Sequence, residues 1–251
     1  MACAVGSIGV SGLVRRFETN TVGRDLIVGD IHGCFTKLRQ ALDEVCFSPE
    51  TGDRLFSVGD LVDRGPESPL AVEWLQQPWF HAVQGNHEDM AIRWPNGNMD
   101  PGNYTANGGG WNVSNSPEAC RALSECFAML PVAMELKTAT GLLGIVHADC
   151  PFGAWQDFIA SLEDATLSKS MLGAIVDAAQ WSRERIASTT QDDVSGVRAV
   201  VVGHTPMQRF TSLGNVLNID TGGWLTRGHF TILDAATLRP ATATRMNWSG
   251  T

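Results

Sequence analysis

The sequence has no excess of basic residues: 18 Lys and Arg stand against 27 Asp and Glu, for a formal charge of -9. A nucleic-acid grip needs a basic stripe to neutralise phosphates, so that partner is not expected, and any phosphate recognition must be local. Nor does any apolar run reach the roughly 20 residues of a membrane span. The opening stretch MACAVGSIGVSGLVRRF has no basic leader and is broken by Gly6, Gly9 and Gly12, so no secretory signal is expected. The six cysteines, Cys3, Cys34, Cys46, Cys120, Cys126 and Cys150, form no CxxC pair, which argues against a disulfide framework and a zinc knuckle. They read as reduced and mostly buried thiols, Cys150 included, although it follows a histidine of interest by three residues. Internal repeats and low-complexity segments are also missing. What remains is a soluble, cytoplasmic protein whose 251 residues suit one large domain.

What is present is an alternation of strand and helix patterns. RDLIVG (24–29), RLFSVG (54–59) and FHAVQG (80–85) read as strands. Between them, Phe35, Leu38, Ala41, Leu42 and Val45 mark a helical face over 35–46, and Leu70, Val72, Trp74 and Leu75 mark another over 67–77. That order implies crossover units and an α/β fold. Helix resumes at 87–94 and again at 117–129, separated by a proline- and glycine-rich stretch, 95–111, expected to be a long irregular loop. Strands are expected at 131–137, 141–147, 198–204, 215–220 and 229–233, and a helical region over 155–188 with a break near Ser168.

Three segments carry the chemistry: GDIHG (29–33), GDLVDRG (59–65) and GNHE (85–88), each directly after a strand pattern. Four of the six histidines, His32, His87, His147 and His204, fall at or just after strand ends, the edge where open α/β sheets gather ligands. His81 and His229 lack acidic or glycine context and read as structural. Asp30 and His32 can face one ion, Asp60 has a second oxygen to bridge to another, and Asn86, His147 and His204 can complete that second position. Oxygen and nitrogen donors without thiolate suit Mn²⁺, with Fe or Zn²⁺ as alternatives. In paired-metal hydrolases the ions lie about 3.5–4 Å apart and a bridging hydroxide is acidic enough to attack at neutral pH. His87, beside Asn86, is placed to protonate a leaving alkoxide, Asp63 to orient it, and Arg64 to offer a planar fork of donors to a phosphoryl group. Outside this context a salt bridge is the commoner fate of such an arginine.

These segments, with VHADCPF (146–152) and VGHTP (202–206), resemble the signature of the PPP-family metallophosphoesterases, the serine/threonine protein phosphatases. NGGGW (107–111), HADCPF and WSRERI (181–186) resemble its small bacterial and bacteriophage branch, typified by the phage lambda protein phosphatase. The resemblance covers roughly residues 24–234. It implies a two-sheet β-sandwich flanked by helices in four α/β/β/α layers, with the catalytic domain over 24–240, an extension at 1–23 that could be flexible, and a tail at 241–251. It implies one divalent metal at Asp30, His32 and bridging Asp60, and a second at Asp60, Asn86, His147 and His204. It also implies His87 as general acid with Asp63, and phosphate binding by Arg64 and Arg183; residue chemistry alone could not have picked Arg183 from its charged helix.

The expected activity is hydrolysis of phosphoserine or phosphothreonine in a phosphoprotein or phosphopeptide, with phosphotyrosine as an option. Symmetrical dinucleoside tetraphosphate hydrolases also resemble the chain in GDxHGC and GDLVxRGP, but tend to have a small residue in place of Asp63 and aspartate in place of Glu88. A third reading, a non-catalytic scaffold, would be expected to lose ligands, and none is lost here. One position departs from the protein-phosphatase pattern: where an arginine usually contacts phosphate, two before the motif asparagine, this chain has Gln84, which donates without charge.

Overall fold

The computed structural model describes residues 12–241; the first 11 residues of the expected extension, and the expected tail beyond residue 241, lie outside the described residues. In chain order the first half contains β1 (Val14–Phe17), β2 (Asp25–Val28), α1 (Phe35–Glu44), β3 (Arg54–Ser57), α2 (Ala71–Leu75), β4 (Phe80–Ala82) and α3 (Asn86–Arg93). Then come α4 (Pro101–Tyr104), α5 (Gly110–Val113), α6 (Pro117–Ala128), β5 (Ala133–Thr138) and β6 (Gly141–Val146). The last part holds α7 (Trp155–Glu163), α8 (Lys169–Trp181), α9 (Glu184–Ser188), β7 (Ala199–Val202), β8 (Thr211–Leu213), β9 (Val216–Asn218), β10 (Ile232–Asp234) and β11 (Arg239–Pro240).

The strands form two sheets, ordered β1-β5-β6-β7-β9-β8 and β11-β10-β2-β3-β4. Side-chain alternation explains the layering, because successive strand residues point to opposite faces. Ile27 and Phe56 of one sheet meet Leu143, Ile145, Val201 and Leu217 of the other in a common core. Their neighbours Leu26, Val28 and Leu55 turn outward against Phe35, Leu38, Trp74, Met90 and Phe127 of the helices on that side. On the far side Val200, Val202 and Val216 pack against Trp155, Phe158 and Leu162. Each such side chain contributes about 1.5–3 kcal/mol on burial, and the result is the expected four-layer α/β/β/α sandwich. The fully buried run of β7 reflects a strand covered on both faces.

Parallel pairing places the working edge. β2, β3 and β4 run parallel, as do β6, β7 and β9, so the loops after β2, β3, β4, β6, β7 and β9 all leave at carboxyl ends. The expected helical break is observed: α7 ends at Glu163, and Ser168 caps α8 by accepting the Met171 N–H at 3.2 Å.

Two segments differ from the sequence expectation. Residues 14–17, assigned to the extension, pair in parallel with β5 as an edge strand. Residues 95–111 are not an irregular loop but a series of short helical turns. Asp100 caps α4 by accepting the Asn103 N–H at 2.7 Å, Pro101 takes the first turn, and the fully buried Tyr104 accepts from Asn112 at 3.1 Å. Buried anchoring thus overrides the proline and glycine content.

His81 keeps its structural reading. It packs against Phe17 and Phe56 at centroid distances of 4.5 and 5.2 Å, and burial, reinforced by Arg15 and Arg54, pulls its pKa from 6.5 down to about 4. A histidine held neutral in the fold is protonated first in the unfolded chain. Its contribution is therefore intact above pH 6.5 and lost as pH falls through about 4, amounting to roughly 3 kcal/mol. Urea titrations at stepped pH should show His81→Leu losing less stability than the parent between those values; parallel curves would exclude this origin.

Candidate active site

The sequence-predicted residues converge where the carboxyl ends of both sheets meet. Asp30, His32, Asp60, Asp63, Asn86, His87, His147 and His204 are each at most 4% exposed. His32, Asp60, Asp63, Arg64 and His204 have φ between 45° and 70°, a left-handed conformation that non-glycine residues hold only when their surroundings force it. Glu88 is part of that force. Its carboxylate accepts the N–H groups of Gly85, Asp60 and Leu61 at 2.8–2.9 Å, locking the second motif loop to the start of α3. Glycines supply the clearance: a Cβ at Gly85 would meet Asp60, and one at Gly203 would meet Asp30.

Hydrogen bonds outside the bowl orient three imidazoles into it. His32 Nδ1 faces the Val62 carbonyl at 3.0 Å, His147 Nδ1 the Val58 carbonyl at 2.7 Å, and His204 Nε2 the Trp181 carbonyl at 3.2 Å. A carbonyl accepts only from N–H, so in the neutral ring the opposite nitrogen carries the lone pair and points inward; for His147 burial is outweighed by the Asp60 carboxylate, which raises the pKa above 6.5. His32 Nε2 then lies 3.5 Å from Asp60 Oδ2 and 3.9 Å from Asp30 Oδ2. His147 Nε2 is 3.3 Å from Asp60 Oδ1 and 2.9 Å from Asn86 Oδ1, which lies 2.8 Å from His204 Nδ1.

Two groups have donor atoms mutually within 4.8 Å: Asp60 with His147 and His204, and Asp60 with His32 and His87. Asp60 is common to both. Burial disfavours its charged form, but His147, His87 and His32 hold its pKa well below the usual carboxylate range. Burial pulls His32 well down and His204 to about 3, so both remain neutral as ligand nitrogens must. Burial and the Asp220 and Asp60 carboxylates push Asp30 up. Asp220, after β9, leaves Oδ2 buried with no hydrogen-bond partner. An orphaned carboxylate oxygen beside carboxylate, amide and imidazole donors, without thiolate, is a set that fits divalent cations.

Next to this bowl His87 Nδ1 lies 2.8 Å from Asp63 Oδ2, and Asp63 Oδ1 accepts from Trp111 Nε1 at 2.7 Å. His87 Nε2 faces Arg64 Nη2 at 3.2 Å. Arg64 has no ion pair among the described residues, and its side chain stacks on Trp224 instead. Arg183, just before α9, is exposed yet near enough to His204 to depress it, whereas Arg185 is tied to Asp149 at 2.9 Å. Gln84 is not a free donor: its amide N–H donates to the Phe127 carbonyl at 3.1 Å and its carbonyl accepts from the buried Gln180 at 2.7 Å. Cys150 is packed, and burial pushes its thiol up to about 11.

The sequence reading gave no site role to Glu88, Trp111, Gln180, Asp220 or Trp224. Glu88 stood three residues after a helix-starting glycine, the acidic half of a capping box, and could have been read from that spacing. The other four act through contacts far apart in the chain.

Residues 24–208 match the calcineurin-like phosphoesterase family, and the chain belongs to it: this is a metallophosphoesterase. It is 34% identical over 213 residues to serine/threonine-protein phosphatase 1 of Salmonella typhimurium, spanning 84% of this chain and 91% of that one. A shorter likeness, 44% over 64 residues, links it to a symmetrical bis(5'-nucleosyl)-tetraphosphatase of Erwinia tasmaniensis, over 25% of this chain and 23% of that one. A cold-active protein tyrosine phosphatase shares the fold with a TM-score of 0.56 at 16% identity, over 88% of this chain and 75% of that one. The likeness to bacterial serine/threonine phosphatases over most of the chain puts it in the PPP family, as its motifs anticipate. Among the described residues no helix is long and apolar enough to cross a membrane.

Proposed function

We propose that the protein hydrolyses phosphoserine and phosphothreonine monoesters in proteins, using two divalent cations, Mn²⁺ foremost. Asp30, His32 and Asp60 would hold one cation, and Asp60, Asn86, His147 and His204 the other. When bound, the pair supplies a nucleophile at neutral pH and neutralises phosphoryl charge. Arg64 and Arg183 bind the phosphoryl oxygens. His87 Nε2 delivers a proton to the departing oxygen while Asp63 holds the other side of the ring.

The observation that carries this reading is the Asp63–His87 pair at 2.8 Å, with His87 Nε2 3.2 Å from Nη2 of Arg64, the group assigned here to phosphate. A serine or threonine alkoxide is a poor leaving group and needs such a donor. The phosphate end released from a dinucleoside polyphosphate departs as a stable anion and needs it far less. Gln84, committed to Phe127 and Gln180, adds no charge to the phosphate site.

Side-by-side turnover of a phosphopeptide panel and diadenosine tetraphosphate, with Mn²⁺ present, tests the assignment. We expect kcat/KM at least about tenfold higher on phosphoserine or phosphothreonine peptides, a difference of about 1.4 kcal/mol in transition-state binding. The reverse preference would assign the dinucleotide activity instead. No bound metal and no turnover of either would leave only the scaffold.

A further inference from the structure

The chain after β9 returns on itself between Thr221 and His229. The Thr221 hydroxyl donates to the His229 carbonyl at 2.6 Å, the His229 N–H to the Thr221 carbonyl at 3.3 Å, and the Leu225 N–H to the Gly222 carbonyl at 2.8 Å. Lys37 of α1 fixes the tip from outside, its ammonium donating to the carbonyls of Leu225 at 3.0 Å and Gly228 at 2.8 Å. A helix-borne cation thus holds a loop nearly 190 positions away in the chain.

The loop delivers one side chain to the site. Trp224 stands edge-on to His32, with ring centroids 4.9 Å apart and planes at 74°, and the Arg64 guanidinium carbon lies 4.3 Å over the indole ring. Arg64 needs such a support. It is exposed and has no acidic partner among the described residues; its backbone N–H goes to the Gly108 carbonyl at 3.4 Å, and its guanidinium is held in plane by one contact, Nη2 to His87 Nε2 at 3.2 Å. An unrestrained arginine loses rotamer entropy each time it grips a ligand. A carboxylate could restrain it, but would occupy the fork of N–H donors that a phosphoryl group requires. An indole face occupies only the flat face of the guanidinium and leaves the in-plane donors free.

We propose that Trp224 is a positioning residue that pre-orients Arg64 for phosphate, and that Lys37 sets its place by pinning the loop. The proposal rests on Arg64 being a phosphate-binding group. Trp224 contributes through its face and not its indole N–H, which is buried with no partner. Phenylalanine should therefore replace it and leucine should not.

The test is a double-mutant cycle on the Mn²⁺-loaded protein with p-nitrophenyl phosphate. Trp224→Leu should raise KM about 3- to 10-fold, with a smaller change in kcat, as expected for losing a cation–π contact at a partly exposed site. Trp224→Phe should stay within about twofold of the parent, and Lys37→Met should raise KM to an intermediate level. In an Arg64→Ala background, Trp224→Leu should add nothing. A full additional KM increase in that background, or equal losses for the Phe and Leu variants, would overturn the proposal. Orthophosphate binding by calorimetry runs the same cycle without turnover. An inactive parent that shows the coupling sinks the phosphatase reading alone; an active parent without it sinks the positioning role alone. An inactive parent that binds no orthophosphate sinks both.

Discussion

Replacing His87 by asparagine is expected to lower turnover of phosphoserine peptides by about 10²- to 10⁴-fold, the range of a lost general acid. Turnover of p-nitrophenyl phosphate should fall by less than about tenfold, because nitrophenolate departs without a proton. The asymmetry follows from the position of the ring. Asp63 engages Nδ1 at 2.8 Å, which leaves Nε2 on the opposite side, 3.2 Å from Arg64 Nη2 and 3.8 Å from Asp60 Oδ2.

That last distance gives the experiment a second purpose. His87 shares a donor group with His32 and Asp60, so geometry alone allows it to be a ligand. A ligand's loss would lower metal content and slow both substrates alike. A proton donor's loss would leave the metal count unchanged and fall on the poor leaving group. Measuring metal stoichiometry and both rates on the same preparation separates the two, and equal losses on both substrates would refute the general-acid role.

The pattern-readable part of this molecule is the part written locally. Asp30, His32, Asp60, Asn86 and His204 each follow an apolar run and sit beside a glycine, because a strand end that turns sharply while directing a polar side chain inward needs both, and those signals lie within five residues. The two-sheet sandwich was implied by the family resemblance alone; the strand order only agreed with it. What stayed hidden depends on chain closure. The Trp111 N–H reaches Asp63 across 48 positions, Gln180 reaches Gln84 across 96, and the His204 N–H reaches Asp30 across 174. No periodicity records such pairings. Gln84 illustrates the cost of reading it alone: as an isolated residue it is a neutral donor near phosphate, whereas in the fold its amide joins α6 to α8. Residues 95–111 were hidden for the complementary reason, since Tyr104 and Trp111 anchor turns that proline and glycine content argued against.

Asp60→Asn should remove most of the protein's stabilisation by Mn²⁺ and at least about 10³-fold of its turnover, a loss on the scale of removing a central catalytic group. Its carboxylate is the one group shared by both donor sets: Oδ1 lies 3.3 Å from His147 Nε2, and Oδ2 3.5 Å from His32 Nε2. Asparagine keeps one oxygen but turns the other into an N–H₂ and cancels the charge, so one set must lose its acceptor and both lose their anion. In the parent, a ligand at one hundred times its dissociation constant raises stability by about 2.7 kcal/mol, which appears as a Mn²⁺-dependent rise in the unfolding midpoint. That rise should collapse in the variant while the metal-free midpoint still reports a folded protein, because the backbone position of residue 60 is held by Glu88 through the main-chain N–H. A variant that retains both the parent's metal count and its Mn²⁺ response would show that the two donor sets do not depend on Asp60, and the bridging assignment would have to be withdrawn.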